Sequence, residues 1–238
     1  AVVISLGDTI DSAMATRVRA VAAEIRHAPP AGTVDVVPAF ASIALFFEPG
    51  RAPEMANLGR ELAEAVARAD TRGQSADVRT VEIPVCYGGV HGPDLDLVAA
   101  RAALAPAEVV ARHTCAEYLV HAIGFSPGFP YLGGLPPELA TPRRDTPRLR
   151  VPAGSVGIGG AQTGVYPQET PGGWNLIGRT PWQLFDPRRV EPALLRAGDR
   201  VRFHAIPEVK FAAGGFAFGP HDLRGSGDTA PEHRRTPA

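Results

Sequence analysis

Lysine is almost missing from this 238-residue chain: Lys210 is the only one, and every other basic residue that carries a permanent charge is arginine. A Schiff-base or phosphate-gripping lysine elsewhere is therefore excluded. An anion has to be held by arginine forks, backbone N–H groups or another chain. Cysteine is scarce too. Cys86 and Cys115 are the only two, too few for a secreted disulfide scaffold. The formal net charge is -1, which argues against a protein that binds nucleic acid by neutralising phosphates. No apolar run reaches the length of about 18 residues that marks a membrane span, and the apolar start Val2 to Leu6 lacks the length and basic flank of a signal peptide. The expectation is a cytoplasmic protein with neither membrane nor nucleic acid among its partners. Its 45% hydrophobic and 21% charged residues are what one or two globular domains need.

What is present changes character along the chain. Val2 to Leu6 reads as a short strand, and Asp11 or Ser12 as the cap of a helix whose apolar stripe is Met14, Val18, Val21 and Ile25. Pro29, Pro30 and Gly32 end that helix. Thr33 to Val37 and the alternating Ile43, Leu45 and Phe47 read as strands, and Met55, Leu58, Leu62 and Val66 as a second helical stripe. Gly73 to Asp77 is a polar connection, after which Val81, Ile83 and Val85 alternate. The order β-α-β-β-α-β predicts a ferredoxin-like α+β unit over residues 1–83, with both helices on one face.

Asp94 to Ala103 and Pro106 to Glu117 read as two short helices and Tyr118 to Phe125 as a strand. From Gly124 to Gly173, 11 Gly and 9 Pro fall within 50 residues, so short strands with tight turns are expected. Arg150 to Ile158, Thr163 to Tyr166, Asn175 to Arg179, Trp182 to Phe185 and Arg200 to Ile206 are the strand candidates of a small β-barrel over residues 84–207. Residues 208–238 form a polar C-terminal extension whose last dozen residues are expected to be disordered.

Gly124-Phe125-Ser126-Pro127-Gly128 matches the G-x-S-x-G nucleophile elbow. The prolines and glycines that follow forbid the helix an elbow must open. Pro127 also lacks the N–H that an oxyanion hole needs. Ser126 is better read as a turn residue. Gly159 to Gly164 has P-loop spacing with Val165 where lysine belongs, leaving a hairpin turn or a backbone anion cradle. The His and Cys spacings match no zinc pattern, so no metal site is expected. His113 and Glu117 would form a surface ion pair one helical turn apart. Arg143, Arg144, Arg148 and Arg150 crowd a proline-stiffened loop. They either bind a carboxylate or phosphate or pair with Asp145 and Glu138, and Arg179 can extend such a site. Phe129, Tyr131 and Trp174 line a pocket or fill the barrel core, core being the preferred reading for Phe125. Gln162, Tyr166, Glu169 and Asn175 add polar groups nearby.

Three stretches together resemble a known family. They are Ile83-Pro-Val-Cys-Tyr-Gly-Gly89 with Gly92-Pro-Asp-Leu95, then Gly128-Phe-Pro-Tyr-Leu-Gly-Gly-Leu-Pro136. The third is Thr141-Pro-Arg-Arg144 with Val151-Pro-Ala-Gly-Ser-Val-Gly157, Gln162-Thr-Gly164, Gly172-Gly-Trp174 and Ile177-Gly-Arg-Thr180. To about Pro207 the chain is similar to the 5-oxoprolinase B-subunit family, also called allophanate hydrolase subunit 1, which includes the sporulation kinase inhibitor of bacilli. The resemblance implies an N-terminal α+β domain and a cyclophilin-like β-barrel. It also implies a C subunit and an A subunit as partners in the ATP-dependent opening of 5-oxoproline to glutamate. ATP with Mg belongs to the complex, and the isolated chain is expected to be inactive. The same resemblance implies two alternatives: a subunit of allophanate or urea carboxylase chemistry, and a histidine-kinase inhibitor. Phe129, Tyr131, Arg143, Arg144, Gln162, Tyr166, Trp174 and Arg179 match the family pattern. The resemblance assigns no catalytic role to any of them. Ser126 and His91 depart from it.

Overall fold

A computed structural model describes residues 1–9, 11–72, 79–214 and 217–218. The chain opens with β1 (Val2–Ser5) and α1 (Ser12–His27), whose first turn is capped by Asp11: its side chain accepts a hydrogen bond from the Met14 N–H at 2.7 Å. β2 (Thr33–Ala39), β3 (Ser42–Phe47) and α2 (Met55–Arg72) follow. The three strands form an antiparallel sheet in the order β1-β3-β2. Both helices pack on one face of it, where Val18, Val21 and Ile25 of α1 meet Ile43 and Leu45 of β3 and Leu58 and Leu62 of α2. Met55, expected in the α2 stripe, is 65% exposed; it stands at the first residue of the helix, outside the packed turns.

The next strand overturns the ferredoxin-like expectation. β4 (Thr80–Tyr87) does not return to the N-terminal sheet. It enters a closed barrel. Two short helices, α3 (Leu95–Ala102) and α4 (Pro106–Cys115), connect it to β5 (Glu117–Ile123). Then come β6 (Pro130–Gly133), a 3-10 turn (Pro137–Leu139), β7 (Arg148–Val151), β8 (Ser155–Gly159), β9 (Gln162–Val165), β10 (Thr170–Gly172), β11 (Asn175–Arg179), β12 (Trp182–Gln183), β13 (Arg200–Ala205), α5 (Glu208–Gly214) and β14 (Ala217–Phe218). The barrel order is β11-β4-β13-β5-β6-β9-β8. β4 lies parallel to β13, from Thr80 opposite Arg200 to Val85 opposite Ala205. Alternation at Val81, Ile83 and Val85 requires one buried face, and the barrel interior supplies it as well as a flat sheet would. These three side chains are fully buried with Tyr118, Leu132, Ile158, Ile177 and Phe203. The division drawn from sequence between residues 83 and 84 falls inside β4.

Three strands escaped the sequence reading: β6, β10 and the short β14 of the extension. β6 and β10 consist of Pro, Gly, Tyr, Leu and Thr, and their ladders come from neighbours in the barrel and in the β7–β10 pair. The Arg150 to Ile158 candidate is two strands, β7 and β8, separated at Gly154, whose φ of 83° turns the chain. The polar connection at 73–77 and the disorder expected of the C-terminal tail lie outside the described residues, while α5 and β14 are further elements of the extension. No described helix is long and apolar enough to cross a membrane.

Candidate functional site

Phe129 is the centre of an aromatic cluster beside the barrel. It is 2% exposed, and its ring meets Tyr131 at 5.1 Å, Tyr166 at 5.3 Å and Trp174 at 5.5 Å, each edge to face. A cavity of about 160 Å³ opens against these rings, lined also by Phe125, Arg143, Arg144, Pro147, Gly172 and Gly173. Local sequence explains the packing. Trp174 stands just before β11, and the next side chain, Asn175, ties this corner down by donating to the carbonyls of Pro142 (2.8 Å) and Ile158 (3.2 Å). The indole fits only because glycines face it: a Cβ on Gly159 would lie 2.5 Å from the indole nitrogen, and one on Gly164 3.0 Å from its six-membered ring. Gly159 to Gly164 is thus the β8–β9 hairpin, with Gly160 at φ 65° in the turn.

The arginines divide by role. Arg143 holds its guanidinium 6.0 Å from the Trp174 ring centroid, and no carboxylate among the described residues pairs with it. Arg144 also lines the cavity, but its Nη1 is bound to Asp94 Oδ1 at 3.0 Å, and Arg148 Nη2 binds the same oxygen at 2.8 Å. The other Asp94 oxygen accepts the Leu176 N–H at 2.7 Å. Asp94 is 4% exposed, so this is a buried clasp joining the start of α3, the arginine loop and β11. The loop's partner is therefore Asp94. Of the expected partners, Glu138 pairs with Arg112. Arg150 pairs with Glu169 on the surface.

Six of the eight residues singled out from the sequence line this cavity: Phe129, Tyr131, Arg143, Arg144, Tyr166 and Trp174. Arg179 and Gln162 do not. Arg179 Nε donates to the Ala153 carbonyl at 2.8 Å, and its guanidinium lies 5.8 Å from the Phe211 ring. Gln162 opens β9 in the hairpin. The three arginines proposed to surround one anion therefore do not converge; Arg143 alone offers an unclaimed fork. Phe125, read as core, is 63% exposed at the cavity rim. Phe129, read as pocket lining or core, is buried and lines the cavity.

His113 corrects another expectation. It is fully buried, with Nδ1 2.8 Å from Tyr87 Oη and Nε2 3.1 Å from Thr163 Oγ1, while Glu117 binds Arg200 and Arg202. The residue four positions on lies beyond the end of α4, on β5, so helical spacing does not apply. Nothing in the spacing flags a core role for His113; its partners are brought by other strands. Asp94 was missed for the same reason.

Chemically the cavity is equipped to bind and not to attack. Its walls offer one free guanidinium, aromatic faces and the hydroxyls of Tyr131 and Tyr166, and burial pushes the Tyr166 phenol up, away from any role as a base near neutral pH. It carries no serine, cysteine, histidine or carboxylate. Among the described residues no three His, Cys, Asp or Glu side chains converge as metal ligands. At about 160 Å³ it is below the roughly 300 Å³ at which ordinary ligand pockets begin, so it fits a small ring or part of a larger ligand.

A barrel of this order, bearing this pocket, is a carboxyltransferase-type domain: the family model described as carboxyltransferase domain, subdomain C and D, matches residues 1–195. The protein named as the B subunit of 5-oxoprolinase in Bacillus subtilis is 44% identical over 90% of this chain and 92% of its own length. Its namesake in Escherichia coli O157:H7 is 48% identical over 85% and 91%. The chain belongs to the 5-oxoprolinase B-subunit family. Among solved structures, TTHA0988 superposes with a TM-score of 0.75 at 40% identity over 86% of this chain, which spans only 39% of that longer polypeptide. The conserved uncharacterized protein PH0987 from Pyrococcus horikoshii has a TM-score of 0.55 at 42% identity, over 88% of this chain and 95% of its own. Kluyveromyces lactis urea carboxylase shares the fold at a TM-score of 0.70 and 19% identity, over 90% of this chain and 22% of its own.

Proposed function

We propose that this chain is a non-autonomous subunit of an ATP-dependent 5-oxoprolinase, acting with a C subunit and an A subunit to open 5-oxoproline to glutamate. The observation that carries this reading is a pocket able to bind a small anionic ring and furnished with no nucleophile, general base or metal ligand set. The lactam of 5-oxoproline is a stabilised amide, and opening it requires activation of the carbonyl oxygen and an attacking water. This chain's part is to bind and orient: Arg143 holds the carboxylate by a charge-assisted fork, and the aromatic walls exclude water from the ring. On this reading nucleotide and Mg belong to the complex, and this chain contributes the pocket. Most of TTHA0988 lies outside its match to this chain, which is in keeping with a barrel that works beside further polypeptide.

The test is reconstitution. Glutamate formation from 5-oxoproline and ATP is expected only when this chain is added to the C and A subunits, and none from this chain alone. Undiminished turnover without it, or turnover by it alone, contradicts the assignment. Arg143→Ala is expected to raise KM for 5-oxoproline at least about tenfold, the loss of one charge-assisted fork, with the unfolding midpoint unchanged because Arg143 serves no clasp. A KM equal to that of the unaltered complex removes Arg143 from the site. A second reading, a subunit of allophanate or urea carboxylase chemistry, is favoured by the carboxyltransferase family model; it predicts turnover of those substrates and none of 5-oxoproline in the same assay.

A further inference from the structure

Phe125 stands at the rim of the pocket with φ 67°. That is the left-handed region, which a bulky side chain rarely occupies and which a turn normally fills with glycine. The surrounding loop holds this conformation: Ser126 N–H donates to the Gly124 carbonyl at 2.8 Å across Phe125, and Gly124 N–H donates to the Phe129 carbonyl at 3.0 Å. Three residues on, the same loop places Gly128 at φ 79°. At position 125 glycine would therefore make the same turn without the steric conflict at Cβ. The ring is no structural compensation either, being largely exposed. Its contacts are edge-on, to Phe129 at 5.4 Å and to Tyr166 at 6.4 Å, both of them pocket walls. A strained, exposed aromatic aimed at a binding cavity is the signature of a functional constraint.

We infer that Phe125 is a specificity-determining residue, the outer wall of the pocket, whose ring packs on a flat, ring-closed ligand and discriminates it from its open-chain counterpart. The inference rests on the reading that the pocket takes 5-oxoproline. Arg143 grips a carboxylate whether the ligand is closed or open, so it cannot tell substrate from glutamate. A flat face can: the lactam is a planar, uncharged ring edge, whereas glutamate presents a flexible chain with an ammonium group and a second carboxylate. Loss of the flat face on ring opening weakens the hold on the product, so the same wall favours its release.

The two tryptophans, Trp174 in the pocket and Trp182 on β12 outside it, allow a direct test. This chain alone is labelled with 5-fluorotryptophan, assembled with its C and A subunits, and followed by fluorine NMR during titration with 5-oxoproline or glutamate. In the unaltered complex 5-oxoproline is expected to shift the Trp174 signal and leave that of Trp182 in place. Phe125→Ala and Phe125→Gly are each expected to weaken 5-oxoproline binding about tenfold and to shrink its preference over glutamate by the same factor, KM rising while kcat stays within about twofold. Phe125→Gly, which relieves the backbone, is expected to keep or raise the thermal midpoint. Unaltered preference in both variants overturns the inference while leaving the pocket reading intact, and so does a Phe125→Gly protein of lowered midpoint, since the ring would then be structural. Failure of 5-oxoproline to move the Trp174 signal in the unaltered complex defeats the pocket reading itself.

Discussion

Asp94→Ala is expected to lower the unfolding free energy by about 3 kcal/mol, the lower end of what breaking a buried ion pair costs. Three groups depend on this carboxylate: the guanidinium groups of Arg144 and Arg148 and the Leu176 N–H. Removing it leaves two like charges side by side in a region where Arg144 Nε and Arg148 Nη1 are already buried without a hydrogen-bond partner. The effect stays at the lower end because the arginines are 33% and 24% exposed and can turn part of their charge toward water. Urea unfolding at pH 7 measures it. Asp94→Ala combined with Arg144→Met and Arg148→Met is expected to recover part of the loss, since no unpaired charge then remains in the interior. A single variant with the unaltered midpoint would show that the clasp contributes nothing. The same variant is expected to reduce 5-oxoproline turnover beyond its effect on folding, because the clasp fixes the loop that carries Arg143.

The contrast between Arg143 and Arg144 shows where sequence reading stops. Composition alone announces an arginine-rich, proline-stiffened loop, and the density of glycine announces tight turns; both are local properties, and both hold in the structure. The amphipathic stripe of α1 and the alternation of β4 and β13 are legible for the same reason, because burial of one face leaves a periodic trace. Which arginine is free is decided by Asp94, about fifty positions upstream, and no periodicity connects them. β4 illustrates a subtler limit: its alternation is correct, yet it states only that one face is buried, and the N-terminal sheet and the barrel compete equally for such a strand. β6 is invisible because its pairing is imposed by β5 and β9 on a Pro-Tyr-Leu-Gly segment with little strand preference of its own. Phe125 is the converse case. The sequence reads it as the end of a strand and as core, and only the backbone conformation exposes the conflict that marks it.

His113 makes the stability of this barrel acid-sensitive in a defined window. Thr163 Oγ1 donates to the Gly157 carbonyl at 3.0 Å, so it accepts from His113 Nε2–H; Nδ1 then accepts from the Tyr87 hydroxyl. Every polar atom of the neutral ring is satisfied, and a second ring proton would displace the Tyr87 hydrogen bond. The groups around it offer no countercharge: Tyr87 and Tyr118 have phenols that burial pushes up, and Phe203 stacks on the ring at 4.8 Å. Burial accordingly lowers the folded pKa to about 3, against about 6.5 in an unfolded chain. Below pH 6.5 the unfolded state takes up a proton that the native state refuses. Stability therefore falls as pH drops from about 6.5 toward 3, by up to about 1.4 kcal/mol per pH unit, and is insensitive to this group above that range. His113→Gln is expected to destabilise the protein by about 2 kcal/mol at pH 7.5, through imperfect replacement of two buried hydrogen bonds. Between pH 6.5 and 5 it should also lose one proton's worth of slope relative to the unaltered chain. Urea unfolding of both proteins across that interval isolates the histidine, because the carboxylates common to both cancel in the difference. Parallel pH profiles would mean that His113 is already charged in the fold, and the tautomer assigned from Thr163 would be wrong. The expectation bears on the pocket as well: Thr163 lies beside Gly164 on β9, the strand whose missing side chain admits Trp174, so a histidine buried behind the sheet helps hold the wall that lines the cavity in front.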